Sequence, residues 1–185
     1  MLEPSTAPVP GLTVPVNQLG RRPGTSLRLK VEFTAAEGIG TEAISIAAGK
    51  PVKLDLLLES VLEGVLATGT VRSEAFGECG RCLDEVSTPV EVTFQELFGF
   101  PERAEPGLED PDQLQVVDDA IDLTAPVRDA VVLSLPFNPL CREDCPGLCS
   151  ECGARLADEP EHRHRLVDPR WAALQDILED EREEI

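Results

Sequence analysis

Residues 51–98 read PVKLDLLLESVLEGVLATGTVRSEAFGECGRCLDEVSTPVEVTFQELF. Val52, Leu54, Leu56 and Leu58 alternate with Lys53, Asp55, Leu57 and Glu59, the period-two pattern of a strand with one buried face. Glu63-Gly64 interrupts it, and Val65, Ala67, Gly69 and Val71 resume it on a second strand running to about Gly77. After the turn Cys79-Gly80-Arg81-Cys82, Val90, Val92 and Phe94 alternate with Glu91, Thr93 and Gln95 on a third strand. Connections this short cannot cross a sheet to make parallel neighbours, so the stretch predicts an antiparallel meander.

Working outward, short strands near Leu27 to Phe33 and Ala43 to Ile46 extend the sheet. Pro101 to Asp119, rich in proline and acid, reads as a charged loop. Thr124 is placed as an N-cap, with Pro126 in the first turn and Val127, Ala130, Val131 and Leu135 on the apolar face of a helix that ends at Pro136. Asp168-Pro169 opens a second helix with a stripe of Trp171, Leu174, Ile177 and Leu178 and an acidic end. The expected fold is mainly β with α (α+β): an antiparallel curved or barrel-like sheet over residues 27–98 closed by a helix, plus a small zinc-binding lobe and a C-terminal helix. The expected organisation is a flexible arm over 1–16, a β-rich core over 17–140, a Cys/His lobe over 141–166, and the helix with its acidic tail over 167–185.

With 185 residues, 42% of them hydrophobic, the chain can bury a core without disulfides. Its 35 Asp and Glu against 16 Lys and Arg give a formal charge of −19, which repels phosphate and excludes a general nucleic-acid coater. The local exception is Gly20 to Lys30, where Arg21, Arg22, Arg28 and Lys30 occur with no acid between them. An ordinary solvated loop accounts for such a run, and a possible RNA contact is the functional alternative. No apolar run is long enough to span a bilayer, and the proline-broken N-terminus lacks the pattern of a leader. A soluble, cytoplasmic protein is expected, with its cysteines kept as thiols.

Those cysteines carry the strongest chemical signal. In PLCREDCPGLCSECG, Cys141, Cys145, Cys149 and Cys152 stand at CxxxC and CxxC spacings, and the only two histidines, His162 and His164, follow Cys152 by ten and twelve residues. Thiolates so close repel one another, and a divalent metal offsets that repulsion; zinc takes four thiolate or imidazole ligands tetrahedrally. Buried free thiols are the bland alternative, but they rarely cluster in a segment so rich in Pro, Gly and acid. The expected zinc is structural, held mainly by Cys145, Cys149 and Cys152, with Cys141, His162 or His164 completing the shell. A catalytic zinc would need an open position with Glu143, Asp144 or Glu151 as base.

Cys79 and Cys82 form a separate CxxC at a hairpin turn. It could be a redox pair, a half-site completed across space by the later cysteines, or two thiols in a turn. A redox CxxC normally opens a helix of a βαβ unit, which the flanking strands do not provide. No Ser-His-Asp grouping, P-loop or dinucleotide fingerprint is present.

Together, GECGRCLDEVSTPVEV (77–92), IDLTAPVRDAVVLSLPFNPLC (121–141), DCPGLCSECG (144–153) and VDPRWAAL (167–174) resemble the YceD family, the large ribosomal RNA subunit accumulation proteins. The resemblance runs from about Asn17 to Leu178, and Cys79, Arg81 and Cys82 lie in its signature hairpin. Many Gram-positive-type members have a CxC pair where this chain has His162 and His164, and both residue types bind zinc. Proteobacterial members lack most of the late cysteines, which implies a metal that supports structure. The resemblance implies a factor for accumulation of the large-subunit (23S) ribosomal RNA; binding, not catalysis, is the expected mode of action. Its expected partners are a large-subunit precursor, through a basic ribosomal protein or ribosomal RNA, with no membrane and no small-molecule substrate. The alternative class is a zinc-dependent hydrolase, or a thiol oxidoreductase using Cys79 and Cys82.

Overall fold

A computed structural model of the chain describes residues 12–103 and 113–164. Residues 1–11 of the expected arm, residues 104–112 of the acidic loop and the expected C-terminal helix lie outside them. The chain divides into two compact units, Met1–Glu143 and Asp144–Ile185.

Among the described residues the first unit has eight strands: β1 (Thr13–Pro15), β2 (Ser26–Thr34), β3 (Ile39–Gly40), β4 (Ile44–Ile46), β5 (Pro51–Ser60), β6 (Gly64–Glu78), β7 (Glu85–Gly99) and β8 (Ala120–Asp122), followed by helix α1 (Thr124–Ser134). The meander is antiparallel throughout. β5 pairs with β6 in the register Leu54↔Val71, Leu56↔Gly69 and Leu58↔Ala67, and β6 pairs with β7 over its whole length, from Gly64↔Gly99 to Glu78↔Glu85. β2 adds to the outer edge of β5, and β4, with β3 beyond it, pairs with the far end of β6.

Alternation decides the buried face. Val52, Leu54, Leu56 and Leu58 are buried with Val65, Ala67, Val71, Ala75, Val90, Phe94 and Phe98, while Asp55, Arg72 and Glu91 form a charged row on the opposite face, the guanidinium donating to Asp55 at 2.5 Å and Glu91 at 3.0 Å. Gly69 belongs to the inner face because the Phe94 ring lies over it: a Cβ there would fall 2.5 Å from two ring carbons. Aromatic area from β7 thus fills the gap that glycine leaves on β6.

The sheet is not closed as a barrel. Among the described residues β2 pairs with no strand but β5, and β7 with no strand but β6, apart from a single bridge from Gly99 to Gln115. Arg28, Lys30 and Glu32 are exposed along β2, and a charged edge of this kind resists further pairing. The core is covered instead by α1, which packs on β7 and β3, and by a separate two-stranded sheet in which β1 pairs with β8. α1 buries Pro126, Val127 and Val131.

Thr124 is not the cap of α1 but its first residue. The N-cap is Leu123, whose side chain makes no cap hydrogen bond; one residue earlier, the Asp122 carboxylate accepts the Thr124 backbone N–H at 2.9 Å and the Thr124 hydroxyl at 2.5 Å. The Thr124 oxygen in turn accepts the Leu12 N–H at 2.7 Å. An acid at the helix start favours the dipole as well.

In the second unit, Leu148 bridges Arg155 in a short antiparallel ribbon. Leu156 N–H donates to Gly147 O at 3.1 Å, and Gly147 and Gly153 both take positive φ, at 80° and 73°. The described part of this unit, residues 144–164, has few apolar side chains to bury.

Candidate metal centres

The second unit brings four metal-binding donors together: Cys149, Cys152, His162 and His164, with one ligand atom of each within 4.8 Å of the others. Cys152 Sγ lies 3.2 Å from Nε2 of each histidine, and the two Nε2 atoms are 2.9 Å apart. The edges of a zinc tetrahedron with two sulfurs and two nitrogens measure about 3.6 Å for S···N and about 3.3 Å for N···N, from bond lengths of about 2.3 and 2.0–2.1 Å. Each observed edge is a few tenths of an ångström short, so the group fits zinc after a small expansion. Glu159 Oε2 accepts from Nδ1 of His162 at 3.1 Å, which leaves Nε2 as the metal-binding atom and fixes the ring.

The local chain builds this site from a turn. Cys149 N–H donates to Ala154 O at 2.8 Å and Gly153 N–H donates back to Cys149 O at 2.9 Å. The backbone N–H groups of Cys152 and Glu151 then point at the Cys149 sulfur and, against its burial, lower its thiol from 9.0 to about 6. Donors aimed at a sulfur stabilise thiolate, the form that binds metal.

The β6–β7 turn repeats the construction. Cys79 N–H donates to Asp84 O at 2.8 Å, and Leu83 N–H donates to Cys79 O at 2.9 Å. Leu83 occupies the left-handed region at φ 62°, where the other turn has Gly153 at 73°. The N–H of Cys141, with those of Cys82 and Arg81, brings the Cys79 thiol down to about 6 although burial pushes it up. Cys141 joins this turn because the segment after α1 docks on it: Gly80 N–H donates to Pro139 O at 2.8 Å, and Arg81 Nη1 reaches Glu143 O at 3.4 Å. A Cβ at position 80 would lie 1.9 Å from Asn138 Oδ1, so a larger residue there would displace the Asn138 side chain. Cys82 Sγ is 3.6 Å from Cys141 Sγ and the Sγ atoms of Cys79, Cys82 and Cys141 all lie within 4.8 Å, against about 3.8 Å for the S···S edge of a zinc tetrahedron.

The donors named from the sequence therefore separate. The histidines join Cys149 and Cys152, whereas Cys141 joins Cys79 and Cys82; Cys145, buried, stands at the start of the second unit. Sequence reasoning missed Glu159 as the partner of His162 and missed the likeness of the two turns. That likeness was legible in CGRCLD against CSECGA, once the fifth position is read as one needing positive φ.

The basic stretch is less available than its composition implies. Arg21 pairs with Glu102 and with Asp119 at 3.2 Å and stacks over Phe100 at 5.2 Å, all distant in sequence. Lys30 lies 3.7 Å from Asp55. Arg22 and Arg28 are exposed and make no ion pair among the described residues. Glu109, Asp110 and Asp112 of the acidic loop lie outside them. A separate cleft of about 350 Å³ between the β2–β3 turn and α1 is lined by Leu12, Phe33, Ala35, Ile39 and Val127, with Glu37 and Arg128 at its margin, and holds no cysteine or histidine. No described helix is long and apolar enough to cross a membrane.

Comparison with known proteins places these features. An uncharacterized protein of Mycobacterium tuberculosis, Rv2926c, is 49% identical over 90% of this chain and 81% of its own length, and one of Mycobacterium leprae, ML1660, is 46% identical over 88% and 76%. Uncharacterized protein YlbN of Bacillus subtilis is 32% identical over 62% of this chain and 66% of its own. No solved structure matches. The family model of the large ribosomal RNA subunit accumulation protein YceD matches residues 67–178, which takes in the β6–β7 hairpin, α1 and both cysteine groups. The chain belongs to the YceD family.

Proposed function

We propose that this protein is a non-catalytic assembly factor of the large ribosomal subunit, supporting accumulation of its 23S RNA by binding, with zinc as a structural cofactor of the second unit. Family membership over residues 67–178 carries the reading. The donor set supports a structural metal, because Cys149, Cys152, His162 and His164 fill four positions and leave none for a substrate or an activated water. Few of the described residues of this unit are apolar, and metal binding free energy there serves as folding free energy.

The chain's charge of −19 favours a basic ribosomal protein as the direct partner, because opposite fields speed and orient encounter. RNA contact, if made, falls to Arg22 and Arg28, whose charges are not spent on ion pairs among the described residues. Co-sedimentation with purified large-subunit precursors tests this. Charge reversal at Glu109, Asp110 and Asp112 should weaken association, and Arg22→Glu with Arg28→Glu should leave it within twofold. The opposite pattern transfers the contact to RNA, and no association in any form removes the proposal. Arg21→Glu is a poor probe, since it breaks the pairs to Glu102 and Asp119 and perturbs the fold.

A further inference from the structure

We infer that the open edge of β2 pairs with β2 of a second copy of this chain, antiparallel about a twofold axis at Val31, so that two sheets join into one. The first argument is the direction of the backbone. At the two ends of β2, Ser60 N–H donates to Thr25 O at 2.9 Å and Ala35 N–H donates to Lys50 O at 3.1 Å. The odd-numbered residues therefore turn their backbone groups to β5, and the even-numbered ones turn theirs to the open edge. Ser26, Arg28, Lys30, Glu32 and Thr34 present N–H and C=O groups that no described strand takes up, a template for one more strand.

The inner face supplies the second argument. Leu27, Leu29, Val31 and Phe33 are only half-buried, whereas the apolar row beside them on β5, from Val52 to Leu58, is buried. A strand added beyond β2 covers that row and carries the apolar face across the junction. Two chains of charge −19 repel one another, but β2 begins inside the acid-free stretch Gly20 to Lys30, which lowers the repulsion at this edge.

Charge then selects the strand. The exposed side chains Arg28, Lys30 and Glu32 turn away any strand that sets like charges opposite them. Laid antiparallel on itself with Val31 on the axis, β2 sets Lys30 of each copy opposite Glu32 of the other and Arg28 opposite Thr34, with no like pair. An axis at Leu29 would set Arg28 against Lys30, and one at Lys30 or Glu32 would put two identical charges face to face. On the apolar face of the Val31 register, Val31 meets its own copy and Leu29 meets Phe33. The Lys30 side chain is 90% exposed, so it can reach across the junction. This pairing does not depend on the ribosomal role or on zinc.

The test is sedimentation equilibrium of the full chain from micromolar to submillimolar concentration. Wild type should show a monomer–dimer equilibrium in the micromolar range, as suits an interface of less than standard size. Lys30→Glu and Glu32→Lys should each weaken it about tenfold or more, because each sets like charges opposite at two symmetric places. Lys30→Glu with Glu32→Lys in one chain exchanges the two charges and should restore association to within about threefold of wild type. Mixed in equal amounts, the two single variants should form a heterodimer, since one carries acid and the other base at both positions. All these side chains are exposed, so circular dichroism should show an unchanged fold. A wild type that stays monomeric, a dimer that either single variant leaves intact, or a charge exchange that fails to restore it overturns the inference.

Discussion

Gly153→Ala isolates the turn that builds the second-unit centre. Gly153 has φ 73°, and a Cβ there would meet nothing within 4 Å, so the substitution acts through backbone conformation without clash. Left-handed geometry costs an L-residue about 1–2 kcal/mol, and alanine restores roughly 0.5 kcal/mol by restricting the unfolded chain. The net penalty is about 1 kcal/mol, which at about 1.4 kcal/mol per decade corresponds to roughly fivefold weaker zinc binding where folding and binding are one equilibrium. Competition with a chromophoric chelator reads this directly. Gly153→Asn should lose less, because asparagine tolerates the left-handed region. Leu83→Gly is the mirror experiment: removing the strain outweighs the added freedom of the unfolded chain, and the urea midpoint should rise by an amount equivalent to as much as about 1 kcal/mol. Unchanged zinc affinity in Gly153→Ala, or Leu83→Gly destabilised by a similar amount, would refute the turn geometry.

Glu159→Gln should weaken zinc binding about tenfold, the low end for a group that orients a ligand histidine, since Glu159 is 63% exposed; unchanged affinity in a chelator competition denies Glu159 that role. For metal-free protein, the thiol of Cys79 titrates at about 6 when folded against 9.0 when unfolded. The unfolded state therefore binds more protons between those values, and urea midpoints should climb from pH 6 to pH 9 and show no contribution from this group below pH 6; a fall over that range contradicts the hydrogen bonding at its sulfur. Gly69→Ala should destabilise the sheet by about 1–3 kcal/mol through crowding of Phe94, with Gly69→Ala/Phe94→Leu recovering part of it in urea unfolding, and additive losses would show that the two do not meet.

The meander was legible because burial on one face writes a period of two into Val52 to Leu58, Val65 to Val71 and Val90 to Phe94, and a slip by one residue would expose all of it. Gly69 fitted that pattern only as a blank; the ring that fills it comes from β7. β1 and β8 are three residues each, too short for any periodicity, and the placing of Asp122 against Thr124 depends on their pairing. Whether the sheet closes was not legible either, since closure is a property of β2 and β7 together, fixed by the charged edge of β2 and by α1 across the core. Ligand types were readable from local spacing, but their grouping was not: Cys141 is nearer in sequence to Cys149 than to Cys82, yet the docking of Pro139 on Gly80 sets it beside Cys82. Arg21 shows the same limit for charge, as its partners lie at Glu102 and Asp119.

The most direct test of the account is the ribosome profile of cells from which the protein is depleted, with 23S and 16S ribosomal RNA quantified in each fraction. The account predicts a fall in mature large subunits and in 23S RNA relative to 16S, with large-subunit precursors accumulating, and restoration by the wild-type chain. Unchanged subunit profiles with an unaltered ratio of the two RNAs on full depletion would contradict it.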